Sequence, residues 1–156
     1  MPKGTERIRY AIYTRQSNQG LFDFSSCDAQ FRTCQEYARQ SGQRLLFRKS
    51  HHFKDEGYSG STLDRPGMSR LRKVIALGGL DRVYAVALDR LSRNMLDAVL
   101  LLDEFEKAGV ERRLVHQPDL DSTPHNRLLR HTLAAFAEFE RGMIASRVAE
   151  RRPEPI

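Results

Sequence analysis

The chain has no tryptophan, two cysteines and no long apolar run among its 156 residues. Each shortage excludes something. A mean hydropathy of -0.57 and the lack of any stretch of about 20 apolar residues exclude a membrane-spanning helix. Met1 to Arg7 is short and polar, unlike a secretory signal. Cys27 and Cys34 lie seven apart on a predicted helix, roughly 10 Å along its axis, beyond disulfide reach. A reduced cytoplasmic protein is therefore expected. No Cys or His pair has zinc-ligand spacing. His51 and His52 are adjacent, so on a strand they point to opposite faces. His116, His125 and His131 are scattered and expected to be solvated. There is no acidic cluster for two metal ions and no glycine-rich phosphate loop ending in Lys-Ser or Lys-Thr. No metal and no cofactor are expected, so any phosphoryl chemistry must run on arginine.

Arginine is what the chain has. Net charge is +6, and 21 arginines stand against 5 lysines. With a pI near 9.7, this points to a polyanionic partner. The guanidinium fork matches phosphate geometry where Lys offers a point charge.

The pattern alternates strand and helix. Ile8 to Tyr13 predicts a buried strand, followed by a polar loop. Ser25 or Ser26 then caps a helix reaching about Ser41, with Cys27, Phe31, Cys34 and Ala38 on one face and Gly42 as its stop. Leu45 to Phe53 is the second strand and Asp55 to Gly67 a loop. Pro66 starts a helix whose apolar face is Met68, Leu71, Val74 and Ile75 and which ends at Gly78-Gly79. Val83 to Leu88 is apolar on both faces and predicts a central strand. Asn94 with Asp97 caps a helix over Met95 to Ala108, stopped by Gly109. Val110 to His116 is the fourth strand, and Pro118 and Pro124 bracket a loop. A long helix from Thr123-Pro124 to about Arg152 carries apolar residues on more than one face. One face is expected on the sheet and the rest against a subunit. The expected architecture is α/β: a mainly parallel four- to five-stranded sheet with helices on both faces and a long C-terminal helix. The expected division is 1–124 core, 125–152 long helix and 153–156 tail.

Two strand ends carry the chemistry. Tyr13-Thr14-Arg15-Gln16-Ser17 leaves the first, and Asp89-Arg90-Leu91-Ser92-Arg93 leaves the third. In a doubly wound sheet these strands are often neighbours and their loops face one crevice. Arg65 joins from the loop after the second strand. A serine hydroxyl needs help to act as a nucleophile, and guanidinium groups stabilise the charge of a pentacovalent phosphorus. Asp89 either positions Arg90 or Arg93 or handles a proton. Taken singly, a Ser after a strand is ordinary loop chemistry, and the Asp89 to Arg93 stretch is a helix-capping turn with surface charges.

Together these motifs resemble the catalytic domain of serine site-specific recombinases, the resolvase and invertase family that includes the large serine integrases. The resemblance rests on Tyr13-Thr14-Arg15-Gln16-Ser17, on Asp55 to Gly60 with Asp64-Arg65-Pro66, on Asp89 to Arg93, and on Ala134 to Arg141, in family order. It implies that Ser17 attacks a DNA phosphodiester, becomes joined to the 5′ phosphate and frees a 3′ hydroxyl, which reseals after half-sites exchange. Arg15, Arg65, Arg90 and Arg93 would surround the phosphate with Asp89 orienting them. Tyr13, Gln30, Ser59 and Arg141 would lie at the substrate. Phe136, Glu140 and Met143 would belong to a helix that makes dimer contacts and crosses DNA. The implied partners are DNA and further copies of the chain, as a dimer and as a tetramer on synapsed sites.

The chain also departs from the family. Family members continue past the long helix into a DNA-binding domain, so this stretch alone is expected to bind DNA weakly and with little sequence choice. Phe22 and Phe24 stand in the loop from Gly20 to Ser26, where plainer polar residues are expected, and Gly142 interrupts the long helix at a cost of about 1 kcal/mol relative to Ala. The alternatives are a non-catalytic dimerisation or regulatory fragment of a recombinase and, more remotely, a flavodoxin-like domain for a small phosphate ligand.

Overall fold

A computed structural model describes residues 7–17, 26–118 and 124–150. Expectations for the Gly20 to Ser25 loop with Phe22 and Phe24, for the segment before Pro124 and for the 153–156 tail lie outside these residues. Strands β1 (Ile8–Gln16), β2 (Leu45–Glu56), β3 (Arg82–Ala85) and β4 (Glu111–Leu114) alternate with helices α1 (Cys27–Gln40), α2 (Pro66–Ala76), α3 (Leu88–Leu91), α4 (Met95–Lys107) and α5 (Pro124–Glu150). The strands form one parallel sheet in the order β2-β1-β3-β4. The chain therefore reverses its direction of travel between β1 and β3, which pair directly. Such a switch point leaves a crevice outside the carboxyl ends of the two strands.

Helices cover both faces. α1 lays Cys34 and Ala38 against Tyr10, Ile12, Tyr84 and Val86. The opposite face carries the larger core, where Met68, Leu71 and Ile75 of α2 and Leu101, Leu102 and Phe105 of α4 meet Ala11, Tyr13, Phe53 and Val83. The capping residues behave as the sequence predicts. Ser26 accepts from Ala29 N at 3.1 Å, Asn94 accepts from Leu96 N and Asp97 N, and Gly42, Gly78 and Gly109 follow helices with positive φ. Cys27 and Cys34 are free and buried, and burial pushes the Cys34 thiol up to about 12.

Several boundaries differ. β1 and β2 run three residues further than expected, because Thr14, Arg15 and Gln16 stay in register with Lys54, Asp55 and Glu56. Arg15 and Asp55 are thus strand residues and not loop residues. β3 is shorter: it starts at the charged Arg82 and stops at Ala85, while Leu88 to Leu91 turn into a short helix. Arg82 tolerates the interior because Glu111 takes its Nε and Nη2 at 3.0 and 2.8 Å, and Gln43 and Tyr84 take its Nη1. β4 is likewise shorter, Glu111–Leu114. α5 packs on α4 and not on the sheet, through the buried Arg130 and Ala134. Its Leu128, Leu129, Phe136, Phe139, Met143 and Ile144 remain exposed. No helix among the described residues is long and apolar enough to cross a membrane.

Candidate active site

The crevice at the switch point is lined by arginine. Arg15, near the end of β1, is fully buried, and its guanidinium is held by three peptide carbonyls. Nη2 donates to Asp89 O at 2.8 Å, Nη1 to Tyr58 O at 3.2 Å and Nε to Arg90 O at 3.2 Å. Arg65, at the residue before α2, is equally buried. It donates from Nε to Thr62 O at 2.8 Å, from Nη1 to the Tyr13 hydroxyl at 2.5 Å and to Arg90 O at 3.4 Å, and from Nη2 to Leu91 O. The Arg90 carbonyl therefore accepts from both guanidiniums and fixes their separation. Arg90 itself is half-buried and returns a bond from Nη1 to Arg15 O at 3.2 Å. Arg93 is exposed; its backbone N–H donates to Gly60 O at 2.8 Å.

Among the described residues, no carboxylate lies in ion-pair range of Arg15, Arg65 or Arg93. Buried cations without counterions repel one another. The Arg15 pKa is accordingly lowered, by burial first and then by Arg65, Arg93 and Arg90. Oriented peptide dipoles hold the group in place and leave its net charge for an anion.

Asp55 organises the far side. It is buried at the end of β2 and accepts from Gly67 N at 2.7 Å and Met68 N at 3.0 Å, so it caps α2 from a distant strand. The capping position itself, Arg65, makes no side-chain cap. Asp55 also accepts from the Tyr13 hydroxyl at 2.6 Å, which in turn accepts from Arg65. Burial is the first reason the Tyr13 pKa is raised, Arg65 opposes it and the Asp55 hydrogen bond adds to it. The hydroxyl stays protonated and works as a link. Two glycines make room for this packing. A Cβ on Gly60 would sit 2.8 Å from Arg93 Cγ and 2.9 Å from Arg15 Nη2, and one on Gly67 would sit 2.9 Å from the Asp55 carboxylate.

The structure thus brings Arg15, Arg65, Asp89, Arg90 and Arg93 to one rim. Ser17 follows β1 directly, is half-buried, and lies two residues from Arg15, within about 7 Å of chain. Asp89 contributes twice: its exposed carboxylate stands 3.7 Å from Arg90 Nε, the positioning the sequence leads one to expect, and its carbonyl takes Arg15. Tyr13 and Gln30 are fully buried, as are Arg15 and Arg65, and both hold the arginines: the Tyr13 hydroxyl accepts from Arg65. Gln30 accepts from Arg15 N at 3.2 Å and donates to Arg15 O at 2.8 Å, clamping the strand. Ser59 sits exposed in the loop before Gly60 and shares a 3.0 Å bond with Ser61. Arg141 lies on α5, paired with Asp97 of α4, outside the arginine cluster. Phe136, Glu140 and Met143 are exposed on α5.

His131 is not merely solvated. Its Nε2 lies 2.8 Å from Glu106, beside Asp103, the one three-residue group of suitable metal ligands among the described residues. Arg130 and Lys107 already neutralise those carboxylates.

The comparisons agree with this geometry. The family description "Resolvase, N terminal domain" matches residues 10–153. The chain is 36% identical over 125 residues to "Probable DNA-invertase y4cG" of Sinorhizobium fredii, covering 68% of this chain and 40% of that protein. It is 40% identical over 96 residues to the transposon Tn552 resolvase of Staphylococcus aureus, covering 60% of this chain and 48% of that one. The chain thus spans less than half the length of these relatives. The crystal structure of the N-terminal catalytic domain of TP901-1 integrase superposes with a TM-score of 0.66 at 32% identity, covering 86% of this chain and 98% of that domain. An arginine-lined switch-point crevice, a serine two residues past Arg15, and these matches lead to one assignment: the chain belongs to the resolvase N-terminal domain family.

Proposed function

We propose that the chain is a recombinase catalytic domain that cleaves and rejoins DNA through Ser17. The observation that carries this is the crowding of buried, carboxylate-free guanidinium groups at the crevice where Ser17 leaves β1. In the proposed step the Ser17 Oγ gives up its proton and forms a bond to phosphorus. The P–O3′ bond breaks, and the departing 3′ oxygen takes up a proton. Arg15 and Arg65, pre-set by backbone carbonyls, need no reorganisation to meet the developing negative charge. Arg90 and Arg93, more exposed, are placed to close on the phosphate from the solvent side. Asp89 steadies Arg90, and Ser59 and Arg141 lie further out as contacts to the flanking strand. The phosphodiester bond energy stays in the phosphoserine link, so resealing uses no nucleotide. α5 with Phe136, Glu140 and Met143 would pair copies of the chain into a dimer, and two dimers into a tetramer on synapsed DNA. The division into a core of 1–124 and a helix of 125–152 follows from that use.

The test is adduct formation. Incubated with a nicked duplex that traps the intermediate, the wild-type chain joined to a DNA-binding module is expected to give a covalent protein–DNA band. Ser17→Ala should give none. A wild type that stays free of DNA under these conditions rejects the reading. A second reading, a regulatory module that forms mixed oligomers without cutting, draws support from the exposed apolar residues of α5. It predicts self-association with no adduct from either protein.

A further inference from the structure

β2 is one of the two edge strands of the sheet, and it is basic along most of its length. From Arg44 to Lys54 it carries Arg44, Arg48, Lys49, His51, His52 and Lys54 before any acid appears at Asp55. The register makes part of it protrude. Between the pairs Tyr10↔Phe47 and Ile12↔His52, β1 advances two residues while β2 advances five, so residues 48–51 bulge. Arg48, Lys49 and Ser50 on that bulge are exposed, as is Arg44.

Several cations elsewhere in the fold are paired. Arg9, Arg72, Arg82, Lys107, Arg130 and Arg141 each face a carboxylate. Among the described residues, Arg44, Arg48 and Lys49 face none, and Arg48 is near enough to His51 to help hold its pKa down, after burial. Lys54 alone is paired, with Glu56 at 3.4 Å. Among the described residues, the positive charge of Arg44, Arg48 and Lys49 therefore has no carboxylate in ion-pair range, unlike that of Lys54. The strand also has a direction: its carboxyl end delivers Asp55 to the arginine crevice. By the register Phe47 lies opposite Tyr10 and Asp55 opposite Arg15, five residues apart on β1, so the bulge begins on the order of 17 Å upstream at about 3.3 Å per residue, less than one turn of duplex DNA.

We propose that the β2 edge, through Arg44, Arg48 and Lys49, is a second phosphate-contact surface that holds the duplex flanking the bond presented to Ser17. The proposal rests on the DNA reading above and adds a location to it. Such contacts position a duplex without reading its sequence. The same chemistry protects an edge strand from pairing with another sheet, and the experiment separates the two uses.

The probe is a fluorescent duplex of about three turns, with binding to the chain followed by anisotropy between about 50 and 200 mM salt. Removing three phosphate contacts in Arg44→Ala/Arg48→Ala/Lys49→Ala should flatten the slope of log affinity against log salt by about 2 to 3. Arg48→Glu/Lys49→Glu should weaken binding further than neutralisation of the same two residues. Arg70→Ala/Lys73→Ala removes like charge from the exposed side of α2 and should leave the slope unchanged. An unchanged slope in the β2 variant, with or without lost solubility, overturns the proposal and assigns the charges to edge protection. An equal loss in the α2 variant overturns it in favour of diffuse net charge. Adduct formation on the nicked duplex, run on the same variants joined to the DNA-binding module, tells this failure from that of the Ser17 reading. A wild type that neither binds nor forms adduct overturns both.

Discussion

Asp55 shows what a single carboxylate can organise. It caps α2, accepts from Tyr13 and through Tyr13 sets the position of Arg65. Asp55→Ala strands two amides and a hydroxyl away from water, each costing about 1–3 kcal/mol, so a loss of about 3 kcal/mol or more is expected in urea denaturation. Gly60→Ala should do a second kind of damage. The new methyl meets Arg93 and the buried, carbonyl-held Arg15, so adduct formation should fall at least about tenfold and the urea midpoint should fall with it. The residues of the crevice were legible in the sequence because their motifs are local: Arg15 and Ser17 two apart, Asp89 to Arg93 contiguous. The role of Asp55 was not, because its partners lie 42, 12 and 13 residues away and its own position looked like loop. The links that Tyr13 makes were hidden for a related reason: its hydroxyl meets Asp55 and Arg65 only once β1 and β2 are in register.

At the level of elements, α5 is held by charge as much as by packing. Arg130 and His131 converge on Glu106, Lys107 lies 3.8 Å from Glu138, and Arg141 meets Asp97. The His131 hydrogen bond first, and Arg130 next, lower the Glu106 pKa from 4.5 to about 2. A depressed carboxylate stabilises the fold above its unfolded value and ceases to do so as pH falls from about 4.5 towards about 2. Because Glu106 is largely exposed, solvent screening limits the effect to about 1 kcal/mol. The Tm of the wild type should therefore drop more steeply over that window than the Tm of Glu106→Gln. Helix existence was plain from sequence at α1, α2 and α4, and the N-terminal caps were plain at α1 and α4. The seat of α5 was not, since an apolar pattern on several faces does not say which face finds a neighbour. The short β3 was misjudged because Val86 to Leu88 is apolar enough for a strand, whereas the chain turns there to present Asp89 and Arg90.

For the whole molecule, Phe136, Phe139, Met143 and Ile144 leave α5 with an exposed apolar surface, which the proposed dimer would cover. Phe139→Glu should shift the sedimentation profile toward monomer at concentrations where the wild type self-associates. The arginine crevice has a different consequence. Since burial and the neighbouring Arg65, Arg93 and Arg90 all act against the charge of Arg15, folding works against the very feature the proposed chemistry uses. Arg93→Ala should therefore melt at a higher temperature than the wild type, by a few tenths to about 1 kcal/mol in stability, while losing its capacity to capture DNA covalently. A domain of this kind trades durability for readiness, and its most damaging substitutions for function should be found among its most thermally robust variants.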